Sequence, residues 1–411
     1  MLTWSQKFRI RTWVVSSMWL IPVGFVIVAI ALAWFMPQLD RALSLTIPFT
    51  YSPSAATATL SAIASGMLVF TGFVFSIITF AIQFGSSSYT NRLLRSISRN
   101  TDTKVALGVF VATFIYSLLL LADIAPGNQG NVPNLSVLFA VVLVGISVLV
   151  FLRLIASVTD SIRSGRVVAD VGRSGRRVIE ATFPVPVTAT TPQSSSGAAR
   201  YTPDMPDHEI GCPRSGGGVL QAMDLDGIVA IAEEARATVE LVPKIGEFVS
   251  TGAAVFRVYG VSQTIDARLL DSVAFGDERT FRQDPTFSLR ILVDVALKAL
   301  SPAVNDPTTA VEALGRIEDL LLLLASRWLP DGVCRDAQGE VRFVYRTPSW
   351  KDDLDLSLTE IRIFGASTPS VAARMRELLK TLYDNVPPWR QAAVEEQMRL
   401  LDQATTDSGQ A

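Results

Sequence analysis

The residue types that most often carry chemistry are scarce in this chain. It has one histidine, His208, and two cysteines, Cys212 and Cys334, among 411 residues. A structural zinc site takes about four Cys or His ligands, so a single copy cannot supply one. Two cysteines also make no disulfide framework. Because His208 and Cys212 share the loop-like segment DHEIGCP, surface positions are their simplest interpretation. We therefore expect no metal and no other cofactor.

Catalytic motifs are equally absent from the sequence. It contains no G-x-S-x-G element, no Walker loop and no G-x-G-x-x-G after a predicted strand. A Ser-His-Asp triad would have to use His208, which lies at the end of a predicted linker. These absences argue against an enzyme. The net charge of −2 gives no field that would attract nucleic acid, so we expect no such partner.

A row of small and polar residues on one apolar helix is the most distinctive chemical feature. Intervals of 7, 4, 3 and 4 residues place the members of this row on one helical face. Such a face lets neighbouring helices approach closely and bond through hydroxyls. It can instead line a water-filled path formed by several copies. The five members are Ser65, Gly72, Ser76, Thr79 and Gln83.

The segment that follows this helix, FGSSSYTNRLLRSISR, is basic and has helical spacing of its apolar residues. It predicts either a short helix at the membrane interface or an extension of the preceding span. At the cytoplasmic mouth of a pore its charges would concentrate anions at low salt. The candidate mouth residues are Arg92, Arg95 and Arg99.

One further pair of polar residues stands between two predicted helices. In SPAVNDPTT, Asp306 is well placed as a helix N-cap, with Pro307 at the first helical position. Capping is the simpler explanation. A contact of Asn305 and Asp306 with a ligand or partner is the alternative.

The small-polar row and the basic segment lie on or next to predicted membrane spans. Hydrophobic residues make up 49% of the chain and charged residues only 18%, against about 25% in soluble domains. With a mean hydropathy of +0.36, this composition excludes an ordinary soluble enzyme and a disordered chain. A span needs about 20 apolar residues. Four stretches are free of charge and near or above that length: Trp13–Phe35, Leu60–Phe84, Val105–Ala122 and Leu135–Leu152.

The orientation of the four spans follows from their basic flanks. Arg and Lys are concentrated before the first span, after the second and after the fourth, whereas the two other loops are almost uncharged. Basic loops remain on the cytoplasmic side. We therefore expect a multi-pass protein of the inner membrane with both termini in the cytoplasm.

The sequence divides into four parts. Residues 1–160 form a transmembrane domain with four spans, and 161–218 a connecting helix and a linker rich in Pro, Thr, Ser and Gly. Residues 219–262 have short strands and a glycine-bounded turn, IGEFVSTG, similar to the small β-barrel of biotinyl and lipoyl carrier domains. The carrier lysine is absent. Residues 263–411 are mostly helical. The expected fold is thus an α-helical membrane protein with a cytoplasmic α+β region.

Several strings resemble a known family almost end to end, namely the bacterial DUF2254 family of predicted membrane proteins. This resemblance implies a multi-span inner-membrane protein with a cytoplasmic domain, and it transfers no catalytic residue. The strings are VFSIITFAIQFGSSSYTNRLLRSI, GVFVATFIYSLLLL, IGEFVSTGAAV, RQDPTFSLRILVDVALKALSPAVNDPTTAVEAL and FGASTPSVAARM.

Two functions are compatible with this layout. The first is a homo-oligomeric ion channel whose second span lines the pore and whose cytoplasmic domain regulates it. The alternative is a membrane-anchored scaffold that recruits a cytoplasmic partner. A small-residue face packed within one subunit would favour the scaffold.

Overall fold

The computed structural model describes residues 3–43, 51–88, 101–124, 132–161, 164–187, 205–260 and 265–408. The chain divides into two compact units. We call residues 13–166 the four-helix unit, and residues 1–12 with 167–411 the α/β unit.

Four helices of the four-helix unit are long and apolar enough to cross a membrane. Each has at least 24 residues, which corresponds to about 36 Å of helix against a bilayer core of about 30 Å. The third of them, α4, contacts the other three and is the most buried. The helices are α2 (Leu20–Leu43), α3 (Pro53–Ser88), α4 (Thr101–Ile124) and α5 (Asn134–Ser161).

The first span begins later than the sequence predicts. A separate helix, α1 (Trp4–Ser16), ends just before a bend at residues 17–19, and the candidate span covers Leu20–Asp40. The amide of Trp19 donates to the hydroxyl of Ser17 at 3.3 Å, a local bond that competes with helical pairing. Since the break carries no charge, hydropathy alone does not reveal it.

The α/β unit contains two β-sheets. One has five strands in the order β1-β5-β3-β8-β7, and the other has three in the order β4-β2-β6. Adjacent strands are antiparallel except β3 and β8, which are parallel. The strands are β1 (His208–Gly211), β2 (Gly218–Met223), β3 (Thr238–Leu241), β4 (Phe248–Val249), β5 (Ala254–Tyr259), β6 (Val273–Gly276), β7 (Val333–Arg335) and β8 (Val341–Tyr345), with short helices α7 (Leu225–Glu234) and α8 (Asp266–Asp271) between them.

The carrier-like barrel predicted for residues 219–262 is not confirmed, because the described strands form open sheets rather than a closed barrel. The reason is that the sheets include strands from outside that segment, β1 from before it and β6, β7 and β8 from after it. The predicted turn itself is present, with φ of +87° at Gly246 and +75° at Gly252, the region that glycine tolerates best.

Helices form the remainder of the α/β unit. The connecting helix of the predicted linker lies against this bundle: a Cβ added to Gly175 would stand 2.8 Å from both Ser288 and Leu320 side-chain atoms. Close packing at this position therefore requires glycine. The helices are α6 (Ser164–Thr182), α9 (Pro285–Leu300), α10 (Pro307–Ala325), α11 (Trp350–Gly365), α12 (Pro369–Asn385) and α13 (Pro388–Ser408).

Candidate functional site

Helix α3 has one face that packs within its own subunit. Ala56, Leu60, Met67 and Val74 on this face are at most 5% exposed. They belong to clusters whose other members include large buried side chains of α4. These small and aliphatic side chains therefore pack this side of α3 against α4.

The predicted small-polar row lies on the opposite side of α3. Its members, Ser65, Gly72, Ser76, Thr79 and Gln83, are all exposed. At about 3.6 residues per turn they face away from the buried side by roughly half a turn. The row is therefore not packed within its own subunit, which the sequence could not establish. We call this side of α3 the outward face.

The outward face is longer than the sequence analysis proposed. Ser54, Ala58 and Ser61 continue it toward the start of the helix and are also exposed. From Ser54 to Gln83 it covers about 44 Å at 1.5 Å per residue. Two apolar side chains flank it halfway along, Leu68 and Val69, which are 60% and 74% exposed.

The hydroxyl groups on the outward face have a defined orientation. Ser76 Oγ donates to the carbonyl of Gly72 at 3.0 Å, and Thr79 Oγ1 donates to that of Phe75 at 2.9 Å. Each hydroxyl thereby uses its single proton on its own helix, and its oxygen lone pairs remain as acceptors. No atom lies within 4 Å of where a Cβ of Gly72 would stand. The face thus offers acceptor oxygens and open space.

The three basic residues predicted at the mouth, Arg92, Arg95 and Arg99, lie outside the described residues, since the description of α3 ends at Ser88. Their role stays a prediction.

Asp306 caps α10, as its sequence context predicts. Its carboxylate accepts from the amide of Thr309 at 3.1 Å and from the Thr309 hydroxyl at 2.5 Å. The Thr309 hydroxyl is the main cause of a lowered pKa of Asp306. Asn305 is exposed at φ +47°, a left-handed conformation that asparagine adopts more readily than most residues. The connection between α9 and α10 explains both residues, and a ligand or partner contact stays a prediction.

A second Asp-Pro step, in the family-like string RQDPTFSLR, was not recognised from the sequence. Asp284 is 3% exposed and accepts from the amide of Phe287 at 3.1 Å, which caps α9. It also pairs with Arg279 at 2.7 Å. Burial raises the pKa of Asp284 against the lowering effect of Arg279. Gly246 lies so close that a Cβ there would clash with this pair. The string therefore joins the turn before β4 to the helical bundle.

A buried acid on α11 was also missed. Asp353 is 2% exposed, and its Oδ1 has no hydrogen-bond partner among the described residues. Burial, with a smaller contribution from Asp352, raises the pKa of Asp353 to about 8. Nearby, Arg390 donates to the carbonyls of Leu324 and Ala325 at 2.9 Å, at the end of α10. Arg390 thereby satisfies carbonyl groups at the end of α10.

The residues considered first for metal chemistry are dispersed. His208 begins strand β1 and bonds Asp266 at 2.9 Å, while Cys212, directly after β1, is 3% exposed and belongs to a hydrophobic core cluster. The interpretation of both residues as surface positions is therefore wrong for Cys212, because β1 pairs with β5 and carries Cys212 into the core. Burial raises the pKa of the half-buried Cys334 thiol to about 11. Within the described residues no group of three or more potential ligands converges on one point.

Four helices of membrane-spanning length, joined to a large α/β unit, define the class of multi-span membrane proteins. The family model described as predicted membrane protein DUF2254 matches residues 15–381, and the chain belongs to this family. The resemblance inferred from the quoted strings is thereby confirmed.

Two relatives carry no assigned activity. Uncharacterised proteins of Mycobacterium bovis and Mycobacterium tuberculosis are each 29% identical over 417 residues, which covers 97% of this chain and 78% of theirs. No solved structure matches the chain.

Proposed function

We propose that the protein is a homo-oligomeric ion channel of the inner membrane, with its pore lined by the outward face of α3. The observation that carries this proposal is the direction of that face, which points away from every helix that α3 contacts in its own subunit. A ring of copies is the usual way to enclose such a face around an axis.

The chemistry of the face supports a wet path over contact with lipid. Acyl chains cannot donate to the acceptor oxygens of Ser76 and Thr79, whereas water can. Leu68 and Val69 would form an apolar constriction halfway along, where a pore closes by dewetting. Arg92, Arg95 and Arg99 at the cytoplasmic end would add a weak anion preference at low salt.

Ion flux through reconstituted protein tests the proposal with a matched pair of variants. Gly72 and Gly145 are both exposed in spans, and no atom lies within 4 Å of where a Cβ would stand at either position. Leucine therefore fits at either site within one subunit. Gly72→Leu should abolish flux from liposomes, and Gly145→Leu, on α5, should retain it. Native mass spectrometry should find the same oligomer for both, which separates pore blockage from disassembly.

Thiol accessibility provides a second test of the channel proposal. Ser76→Cys should react with a water-soluble methanethiosulfonate and lose flux, while Gly145→Cys should not react. The native thiols give little background, since Cys212 is buried and Cys334 has a pKa of about 11. Absence of wild-type flux under voltage and stretch, or equal flux in both leucine variants, would contradict the channel and favour the scaffold.

A further inference from the structure

Helix α1 has two apolar faces, and the first of them is packed. The rings of Trp4 and Phe8 stack with centroids 5.4 Å apart. The guanidinium of Arg282 lies 5.1 Å from the Phe8 centroid, a cation–π contact within the α/β unit. This side of α1 is therefore fixed to the α/β unit.

The second apolar face points the other way. Ile10 and Val14 are 49% and 43% exposed, and the neighbouring Trp13 is 62% exposed. At about 3.6 residues per turn, these positions lie more than 90° from Phe8. Apolar side chains on both sides give the helix little net amphipathicity, which is why its sequence alone does not single out the exposed face.

Positive charge borders the exposed face. Lys7 and Arg9 lie on its two sides and Arg11 lies one turn from Lys7, and all three are exposed. Within the described residues none of them has an acidic partner. Arginines of the α/β unit commonly do: Arg257 pairs with Glu209 at 2.8 Å. These three charges are therefore available to an anionic partner outside the described residues.

The position of α1 in the chain places it next to a membrane surface. Three residues separate its end from Leu20, where the first candidate span begins. Three residues of extended chain reach about 10 Å, which is comparable to the headgroup layer. Exposed Trp is also typical of this interface.

We propose that the exposed face of α1 binds the anionic headgroups of the bilayer surface. Ile10 and Val14 enter the boundary between headgroups and acyl chains, and Lys7, Arg9 and Arg11 pair with lipid phosphates. Because Phe8 on the other side contacts Arg282, headgroup binding is coupled to the α/β unit. This inference does not depend on the channel proposal.

The test uses the full chain in nanodiscs, with Ile10→Cys carrying an environment-sensitive fluorophore. In discs that contain phosphatidylglycerol, the emission should shift to the blue and be quenched by spin-labelled lipid. In pure phosphatidylcholine the shift should be smaller. Replacing Lys7, Arg9 and Arg11 by Gln should weaken the response to anionic lipid roughly fivefold for each charge removed.

A matched control removes the same charge from exposed positions far along the chain, with Arg335, Arg346 and Arg399 replaced by Gln. It should keep the wild-type response to phosphatidylglycerol. An equal shift in both lipids, or an equal loss in both triple variants, would overturn the proposal. A probe shielded in both lipids, with disulfide cross-linking between copies at Ile10→Cys, would instead assign the face to a protein interface.

Discussion

At Asp353 a carboxyl group is buried without the ion pair that usually accompanies it. Asp284, also buried, receives bonds from Arg279, Thr286 and the Phe287 amide. Asp353 has no comparable set, and its Oδ1 is without a hydrogen-bond partner in the described part of the chain. A neutral carboxyl is cheaper to bury than a charged one. Residue type alone does not indicate this difference, since it arises from tertiary burial.

The raised pKa of Asp353 makes stability depend on pH. Burial holds the pKa of the folded Asp353 carboxyl at about 8, whereas the pKa of an unfolded aspartate is about 3.9. The folded state thus binds more protons in this window, so stability falls as pH rises from about 4 to 8. The slope from this group is at most about 1.4 kcal/mol per pH unit.

Asp353→Asn should remove that slope, so the variant should gain stability relative to wild type as pH rises toward 8. Thermal unfolding of the full chain in detergent across this range measures it. Asp384→Asn, at an exposed position of α12, should keep the wild-type profile. Parallel profiles for wild type and Asp353→Asn would show that Asp353 is ionised in the folded protein.

At the scale of elements, helix ends explain both what the sequence predicts and what it misses. Asp306-Pro307 gave the start of α10 correctly. For α9 the apolar period predicts a helix over Leu289–Leu300, whereas the Asp284-Pro285 step starts the helix at Pro285. The sequence pattern does not reveal α11, because the acidic residues of its first turns interrupt the apolar period. Its start is nevertheless marked by a capping box of Ser349 and Asp352.

The sheets show a different limit of sequence reasoning. Apolar runs in the sequence predict strands over Val239–Val242 and Ala254–Val258, close to the observed β3 and β5, since alternation along a strand is local. The parallel partner of β3 is β8, about a hundred residues away. Local alternation indicates which side of a strand is buried and does not identify the strand beside it. The barrel prediction therefore rested on the turn at Gly246–Gly252, which is present. The closure of the barrel is not found among the described strands.

The N-cap of α10 should contribute to the stability of the fold. Asp306→Ala should destabilise the fold by roughly 0.5–2 kcal/mol, because the Thr309 amide loses its acceptor. Asp306→Asn should stay close to wild type, since Asn caps comparably. Chemical denaturation of the full chain in detergent measures both. If both variants keep wild-type stability while a bound ligand or partner is lost, Asp306 is a binding residue and its capping role is minor.

At the scale of the whole molecule, hydropathy predicted the four spans, and packing supplied the side of each that faces outward. All four candidate spans overlap the stretches that hydropathy predicts, although the first begins at Leu20 instead of Trp13. The small-polar row of α3 is visible in the sequence. The direction in which it faces depends on which side of α3 is covered by α4. The pattern alone was compatible with close packing, the simpler reading, and with a pore lining, because small residues serve both.

The orientation of the four spans in the membrane is predicted by their basic flanks. The basic flanks predict that residues 127–134 face the periplasm and residues 165–411 the cytoplasm. Asn128→Cys should therefore react with an impermeant maleimide on intact spheroplasts, and Ser194→Cys should react only after permeabilisation. The buried Cys212 and the high thiol pKa of Cys334 keep the background low. Reaction of Ser194→Cys but not Asn128→Cys on intact spheroplasts would reverse the topology, and would place any basic pore mouth on the outside.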